Sequence, residues 1–211
     1  AMDALAPFMS EAGISGECLV FADDNTWRAG GELTMEALRG VKGLRVSRAI
    51  LGARGRTLHC DEKNLQALES EAAGRDTLLC VGSGSLNDLG KEAARRLGTK
   101  NYICVASAAS MDGYTSPVSA ILRNGVKETL ESRAPDAVVA DTRILSTAPK
   151  RMTLAGVGDA LGKHTSNADW LLSHMLLGES HCGAAWEVLK PDLDRLPGLM
   201  RGPAPAKDEK F

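Results

Sequence analysis

The segment Val81-Gly82-Ser83-Gly84-Ser85-Leu86-Asn87-Asp88-Leu89-Gly90-Lys91 constrains this chain more than any other. An apolar run, Thr77 to Val81, stops at the glycines, and a helical pattern follows from Leu86 to Leu97. Strand, glycine turn and helix form a layout for binding phosphate. Glycines let the backbone approach an anion closely, and a helix N-terminus offers free N–H groups and the positive end of its dipole. Ser85, with Asp88 three residues later, reads as the N-cap of that helix. A steric reading stands beside the functional one. Glycine-rich turns also occur for packing alone, and Asn87 stands where the dinucleotide fingerprint has its third glycine.

The same alternation recurs along the chain. Apolar, strand-like runs occur at Cys18–Ala22, Val46–Leu51, Thr77–Val81, Tyr102–Val105 and Ala137–Ala140. Helical patterns at Glu32–Leu38, Asn64–Ala73 and Leu86–Leu97 separate the first four. Strands alternating with helices, each strand too short and too apolar to be a half-exposed antiparallel one, predict an α/β fold whose parallel sheet is covered on both faces. Asn124-Gly125 predicts a hairpin turn. After Pro149 the pattern becomes helical. Met152–Leu177 has apolar residues at helical spacing, and a second helix, Ala184–Leu196, is expected to bend or break at Pro191. The composition shift at Thr147–Pro149 predicts a boundary between a Rossmann-like domain, residues 1–148, and the beginning of a helical domain, residues 149–211. The end, Gly202–Phe211, reads as a loop opening a further helix, so the helical domain is expected to be incomplete.

A net charge of −2 implies no general polyanion-binding surface, and nucleic acid is not an expected partner. The five cysteines are scattered without a CxxC pair and read as buried free thiols of a cytoplasmic protein. No apolar run reaches the length of a membrane span.

Three further segments accompany the glycine turn: Ala22–Trp27 after the first strand, Ala106–Pro117 after the fourth, and Ala155–Lys163 in the helical part. In a parallel sheet the first two share the C-terminal edge with the glycine turn, where ligands bind. Val81–Lys91, Ser107–Pro117, Ala140-Asp141, Ala148-Pro149 and Gly156–Lys163 followed by Asp169-Trp170 resemble the glycerol-1-phosphate dehydrogenases. These belong to the iron-containing alcohol dehydrogenase and dehydroquinate synthase superfamily. The resemblance runs from about Cys18 to about Gly178 and implies a Rossmann-like domain followed by an all-helical one.

It also implies roles. Gly82, Ser83, Gly84 and Ser85 would hold the pyrophosphate of NAD or NADP, with Asn87 and Asp88 beside it. Asp23 would meet the adenosine ribose, and Ser107 and Ser110 the nicotinamide side. Asp112 would face the substrate, Asp159 would be a ligand of a catalytic Zn²⁺, and Lys163 would lie near the substrate. The implied reaction is hydride transfer between NAD(P)H and dihydroxyacetone phosphate, giving glycerol 1-phosphate, in a homo-oligomeric parent enzyme. The two histidine ligands of the family come from beyond Phe211, so this chain alone is expected to be inactive.

Other readings stay open. Asp112 and Asp159 could be local caps of a turn and a helix, and Asp23 a strand-end cap. His59, His164, His174 and His181 read as surface or packing residues. Trp170, Leu172, Met175 and Leu176 are expected to form an uncovered apolar surface. A glycerol dehydrogenase, a dehydroquinate synthase-like enzyme, or a non-catalytic nucleotide-binding module with a vestigial half-site are the alternatives.

Overall fold

A computed structural model describes residues 1–52 and 57–200, in two compact units divided after Thr153. In the first unit, α1 (Leu5–Glu11) precedes β1 (Gly16–Ala22). A short α2 (Asp24–Thr26) runs through a π-turn, Trp27–Gly31, into α3 (Glu32–Leu38). Then come β2 (Leu44–Ile50), α4 (Glu62–Ala72), β3 (Thr77–Gly82), α5 (Gly84–Leu97) and β4 (Asn101–Ala106). A hairpin, β5 (Val118–Arg123) with β6 (Val126–Glu131), leads to β7 (Ala137–Val139) and α6 (Thr142–Leu145).

Five strands form one parallel sheet in the order β2-β1-β3-β4-β7, as the alternating pattern predicts. Successive side chains of a strand face opposite ways, so a central strand that is apolar throughout feeds two cores. Leu78 and Cys80 of β3 pack with Phe21, Tyr102, Leu65, Leu68, Leu86 and Leu89 on one face. Leu79 and Val81 pack with Val20, Val105, Leu5, Met9, Leu38 and Ile144 on the other. Each such leucine contributes about 1.5–3 kcal/mol by leaving water.

The hairpin turns where expected. Asn124 and Gly125 both have left-handed backbone, φ 50° and 81°, as a two-residue turn of this kind requires. It forms a separate antiparallel sheet, held to α4 by an ion pair between Arg123 and Glu62 at 3.0 Å.

Two expectations about helix α5 and its neighbours need correction. Ser83, not Ser85, occupies the N-cap of α5; β3 runs on through Gly82, so the helix starts sooner and Ser85 lies within its first turn. The helix after β1 begins at Asp24, well before Glu32. Asp23 caps it, and the Gly30-Gly31 pair, a poor helix signal, is accommodated in the π-turn where Gly30 packs closely on Ile144 and Val81.

The second unit is helical. The division falls within α7 (Lys150–Leu177), and α8 (Gly183–Met200) follows. Of the bend or break expected at Pro191, the break does not occur: α8 continues through Pro191 and Pro197. Trp170 is a second correction. It is half-buried, its indole Nε1 donating to the Ser180 carbonyl at 2.8 Å with its ring 4.4 Å from His181, whereas Leu172, Met175 and Leu176 are exposed as expected. Gly202–Phe211 lie outside the described residues.

Candidate nucleotide site

The strand order reverses between β1 and β3. The chain leaves β1 toward one edge of the sheet and leaves β3 toward the other. The loops after these two strands therefore diverge and open a crevice at their C-terminal ends, the place where open parallel sheets bind ligands. Asp23 follows β1, and Gly82 closes β3. Gly82 pairs with Ala106 in register, and its carbonyl accepts from the Ser107 N–H at 2.9 Å, which brings the loop after β4 to the same edge.

The glycines of the turn do different work. A Cβ at Gly82 would stand 2.5 Å from Leu86 Cβ, so that glycine is required by the turn's own packing. A Cβ at Gly84 would meet nothing nearer than Met111 Cγ at 3.8 Å. The protein itself does not demand glycine there. Gly90, which the sequence reading passed over, supplies what the missing third glycine supplies elsewhere. Its Cβ would lie 2.5 Å from the Tyr102 hydroxyl and 2.6 Å from Phe21 Cζ, so its absence lets α5 press on the sheet. A glycine inside an otherwise regular helix costs about 1 kcal/mol and was the available signal.

Helices entered from an extended residue are otherwise capped in this unit. Asp23, Asp61 and Asp141 each accept backbone N–H bonds at the starts of α2, α4 and α6. Ser83 is extended too, yet its side chain makes no cap bond to α5. The helix that follows the glycine turn thus keeps its first N–H groups clear of a capping side chain.

Beside that turn lies a cleft of about 410 Å³. Gly84, Ser85 and Asp88 of α5 line it, with Met111, Ala120 and Leu122 opposite and His59, Cys60 and Lys127 completing the wall. Burial, aided by the Asp88 and Asp61 carboxylates, pushes the Cys60 thiol up to about 12, so it stays protonated at neutral pH.

Asn87 and Asp88 are both bonded to the segment after β4. Asn87 is buried; its Nδ2 donates to the Tyr114 carbonyl at 3.1 Å, and its Oδ1 accepts from the Tyr102 hydroxyl at 2.8 Å. Asp88 pairs with Lys91 at 2.8 Å and accepts from the Ala120 N–H at 3.2 Å. Ser107 is buried, Ser110 half-buried and Asp112 exposed at the head of a short 3-10 turn, Gly113–Thr115, to which its side chain makes no cap bond. Asp23 does act as a cap: its Oδ1 accepts from the Asn25 and Thr26 N–H groups at 2.9 and 2.8 Å.

Asp159 and Lys163 belong to the second unit, one turn apart on α7 and both half-buried. Asp159 lies well inside that helix, so it is not a helix cap. Two histidines of this unit have other contacts: His164 meets Trp186 edge-on at 5.9 Å, and His174 Nδ1 lies 2.6 Å from the Glu179 carbonyl. Among the described residues, no group of three His, Cys, Asp or Glu is placed to hold a metal ion. No helix among them is long and apolar enough to cross a membrane.

A family model described as iron-containing alcohol dehydrogenase matches residues 1–149. The glycerol-1-phosphate dehydrogenase (NAD(P)+) of Halalkalibacterium halodurans is 40% identical over 195 residues, 92% of this chain and 48% of the relative. The enzyme of the same name from Bacillus velezensis is 36% identical over 83% of this chain and 44% of its own length. The chain thus spans about half the length of the curated relatives it matches. Among solved structures, glycerol dehydrogenase from Schizosaccharomyces pombe overlays 76% of this chain and 40% of its own, with TM-score 0.63 at 23% identity. Maleylacetate reductase from Agrobacterium tumefaciens overlays 76% of this chain and 44% of its own, with TM-score 0.62 at 20% identity. At those identities the overlays speak for the fold, which carries enzymes of different substrates.

Proposed function

The chain belongs to the iron-containing alcohol dehydrogenase family, and from that premise we propose that it is the nucleotide-binding part of a glycerol-1-phosphate dehydrogenase. The observation that carries the reading is the uncapped start of α5 beside a glycine, Gly84, that the fold does not need. Bare N–H groups at a helix N-terminus, on the edge where the strand order reverses, suit the pyrophosphate of NAD or NADP. Gly82, Ser83, Gly84 and Ser85 form the cradle. Asp23 offers its carboxylate to the adenosine ribose, while Ser107 and Ser110 take the nicotinamide side.

In the parent enzyme a bound reduced nicotinamide would supply a hydride from C4 to the carbonyl carbon of dihydroxyacetone phosphate, and a proton from water or a hydroxyl would complete the alcohol. Asp112 belongs to the substrate wall, and Lys163 supplies a cation for the substrate phosphate. Asp159 is proposed as one ligand of a Zn²⁺. The described residues do not complete a metal site around it, and no step is derived through the metal.

The test is calorimetric titration with NADH. Gly84→Val should remove measurable binding while the far-UV spectrum stays native, because a Cβ there meets the protein only in ordinary contact with Met111, and the new side chain takes the anion's place. Gly82→Val should instead unfold the turn. An unchanged affinity in a folded Gly84→Val protein sinks the phosphate cradle.

A further inference from the structure

Lys91 is buried, with 1% of its surface exposed, on the face of α5 that bears Asn87 and Asp88. Its ammonium donates to the Val118 carbonyl at 2.5 Å and pairs with Asp88 Oδ1 at 2.8 Å. The Gly113 carbonyl and the Ser116 hydroxyl lie at 3.4 Å. Every proton of the ammonium therefore has an acceptor, which a buried cation requires. Asp88 reaches on with its other oxygen to the Ala120 N–H, and Asn87 holds the Tyr114 carbonyl. Between Gly113 and Ala120 the chain is thus tied to α5 at Gly113, Tyr114, Ser116, Val118 and Ala120. None of these ties is a rung of the main sheet.

Two consequences meet at Asp88. It lines the cleft beside Gly84 and Ser85, so its carboxylate sits within the first turns of a helix read as a phosphate binder. An unpaired carboxylate there would repel an anion; Lys91 neutralises it from inside. The same ion pair fixes the far wall of the cleft, where Ala120 stands.

We propose that the Asp88–Lys91 pair, with Asn87, is a positioning latch: it sets the 112–120 segment against the nucleotide end of α5 and cancels the one negative charge α5 brings to the phosphate cleft. This rests on the phosphate-cradle reading of Gly82–Ser85. It assigns Asn87 and Asp88 to holding the 112–120 segment, and not to contacting the pyrophosphate itself.

The test combines amide hydrogen exchange with calorimetric titration by ADP-ribose, a probe that carries the pyrophosphate and lacks the nicotinamide. The proteins are the wild type, Lys91→Met, Asp88→Asn and the double variant. Lys91→Met should speed exchange across residues 112–120 by about tenfold or more, while Thr77–Gly82 and Asn101–Ala106 stay protected. It should weaken ADP-ribose by about tenfold, and adding Asp88→Asn should restore the affinity without restoring the protection, since only the charge has been cancelled. That rescue is a signature that mere loss of packing does not give. If Lys91→Met does not fold, Asp88→Asn alone should still speed exchange at Ala120. Unchanged exchange over 112–120 in both single variants overturns the latch, and affinity that the double variant fails to recover overturns the charge cancellation. Failure of the wild type to bind ADP-ribose condemns the cradle instead, and the exchange arm still decides the latch.

Discussion

The two units bury their apolar side chains to very different degrees. In the α/β unit both faces of the sheet are covered, and Phe21, Leu78, Leu79, Leu89 and Ile103 are wholly out of water. In the helical unit only Leu193 is buried among the described residues, while Leu172 is 52%, Met175 73% and Val188 81% exposed. A sheet sandwiched by helices closes on itself, whereas two helices share one seam and leave their outer faces to whatever else packs there. The lesson concerns where a site can be read. A side chain is fixed when its neighbours are, and Asp88 and Lys91 stand among buried groups that give each of them defined partners.

The sharpest way to break this contrast is to cut the same side chain in each unit. Leu89→Ala should cost about 3 kcal/mol, the usual penalty for a fully buried leucine, and Leu172→Ala less than about 0.5 kcal/mol. Urea denaturation followed by far-UV circular dichroism measures both. Equal penalties would mean the helical unit hides Leu172 in solution.

Glycine gives a second comparison, in which the sign should change. Gly90→Ala forces a methyl against Tyr102 and Phe21 and should destabilise by about 2 kcal/mol. Gly158→Ala, on α7 with nothing within 4 Å, should stabilise that helix by about 0.5–1 kcal/mol. Thermal melts of the two variants decide it; a loss at Gly158 would reveal a neighbour on that face.

A smaller effect tests the charges that clasp α5 to the rest of the first unit. Burial pushes the Glu92 carboxyl up, yet the Arg95 and Arg96 guanidinium groups outweigh it and hold it below its ordinary value. Arg96 also reaches Glu62 and Glu69 on α4, at 2.8 and 3.2 Å. A depressed carboxylate adds stability above its unfolded pKa, and that stability is lost as pH falls through the folded one. Glu92→Gln should therefore cost about 1.5 kcal/mol at pH 7, and the difference from wild type should shrink as the pH falls below the ordinary glutamate value and vanish only below the lowered, folded one. A difference independent of pH would assign the effect to shape, not charge.

What could be read in advance follows the same division. Thr77–Val81 and Tyr102–Val105 announce their strands because a strand buried on both faces needs an unbroken apolar run, and that run is local. The five-stranded parallel sheet and the Asn124-Gly125 turn followed from such signals. The N-cap of α5 was misplaced by two residues, because whether Gly82 ends a strand or opens a turn depends on its pairing with Ala106. The helix through Gly30-Gly31 was hidden, since propensity argues against it and only contact with Ile144 and Val81 makes small residues useful there. α1 has no counterpart in the sequence reading; Leu5 and Met9 gain their meaning from the sheet face they cover. At the site, the glycine turn was legible as a pattern. Gly90 and Lys91 were not assigned, because their roles lie in contacts with β1, β4 and the segment after β4 that no local pattern announces.

The reversal of strand order has a consequence for how the molecule is assembled. Gly16–Ile50 and Thr77–Ala106 are each a strand, a crossover and a parallel strand, closed over short stretches of chain. Their union requires Cys18 to find Thr77 across a much longer one. Short loops close at less entropic cost, so the two halves can form before they are zipped together. The crevice flanked by Asp23 and Gly82 is the seam of that zip and does not exist until the last join is made. A molecule bound across it grips both halves at once and acts as a rivet, raising the cost of unzipping by its own binding free energy.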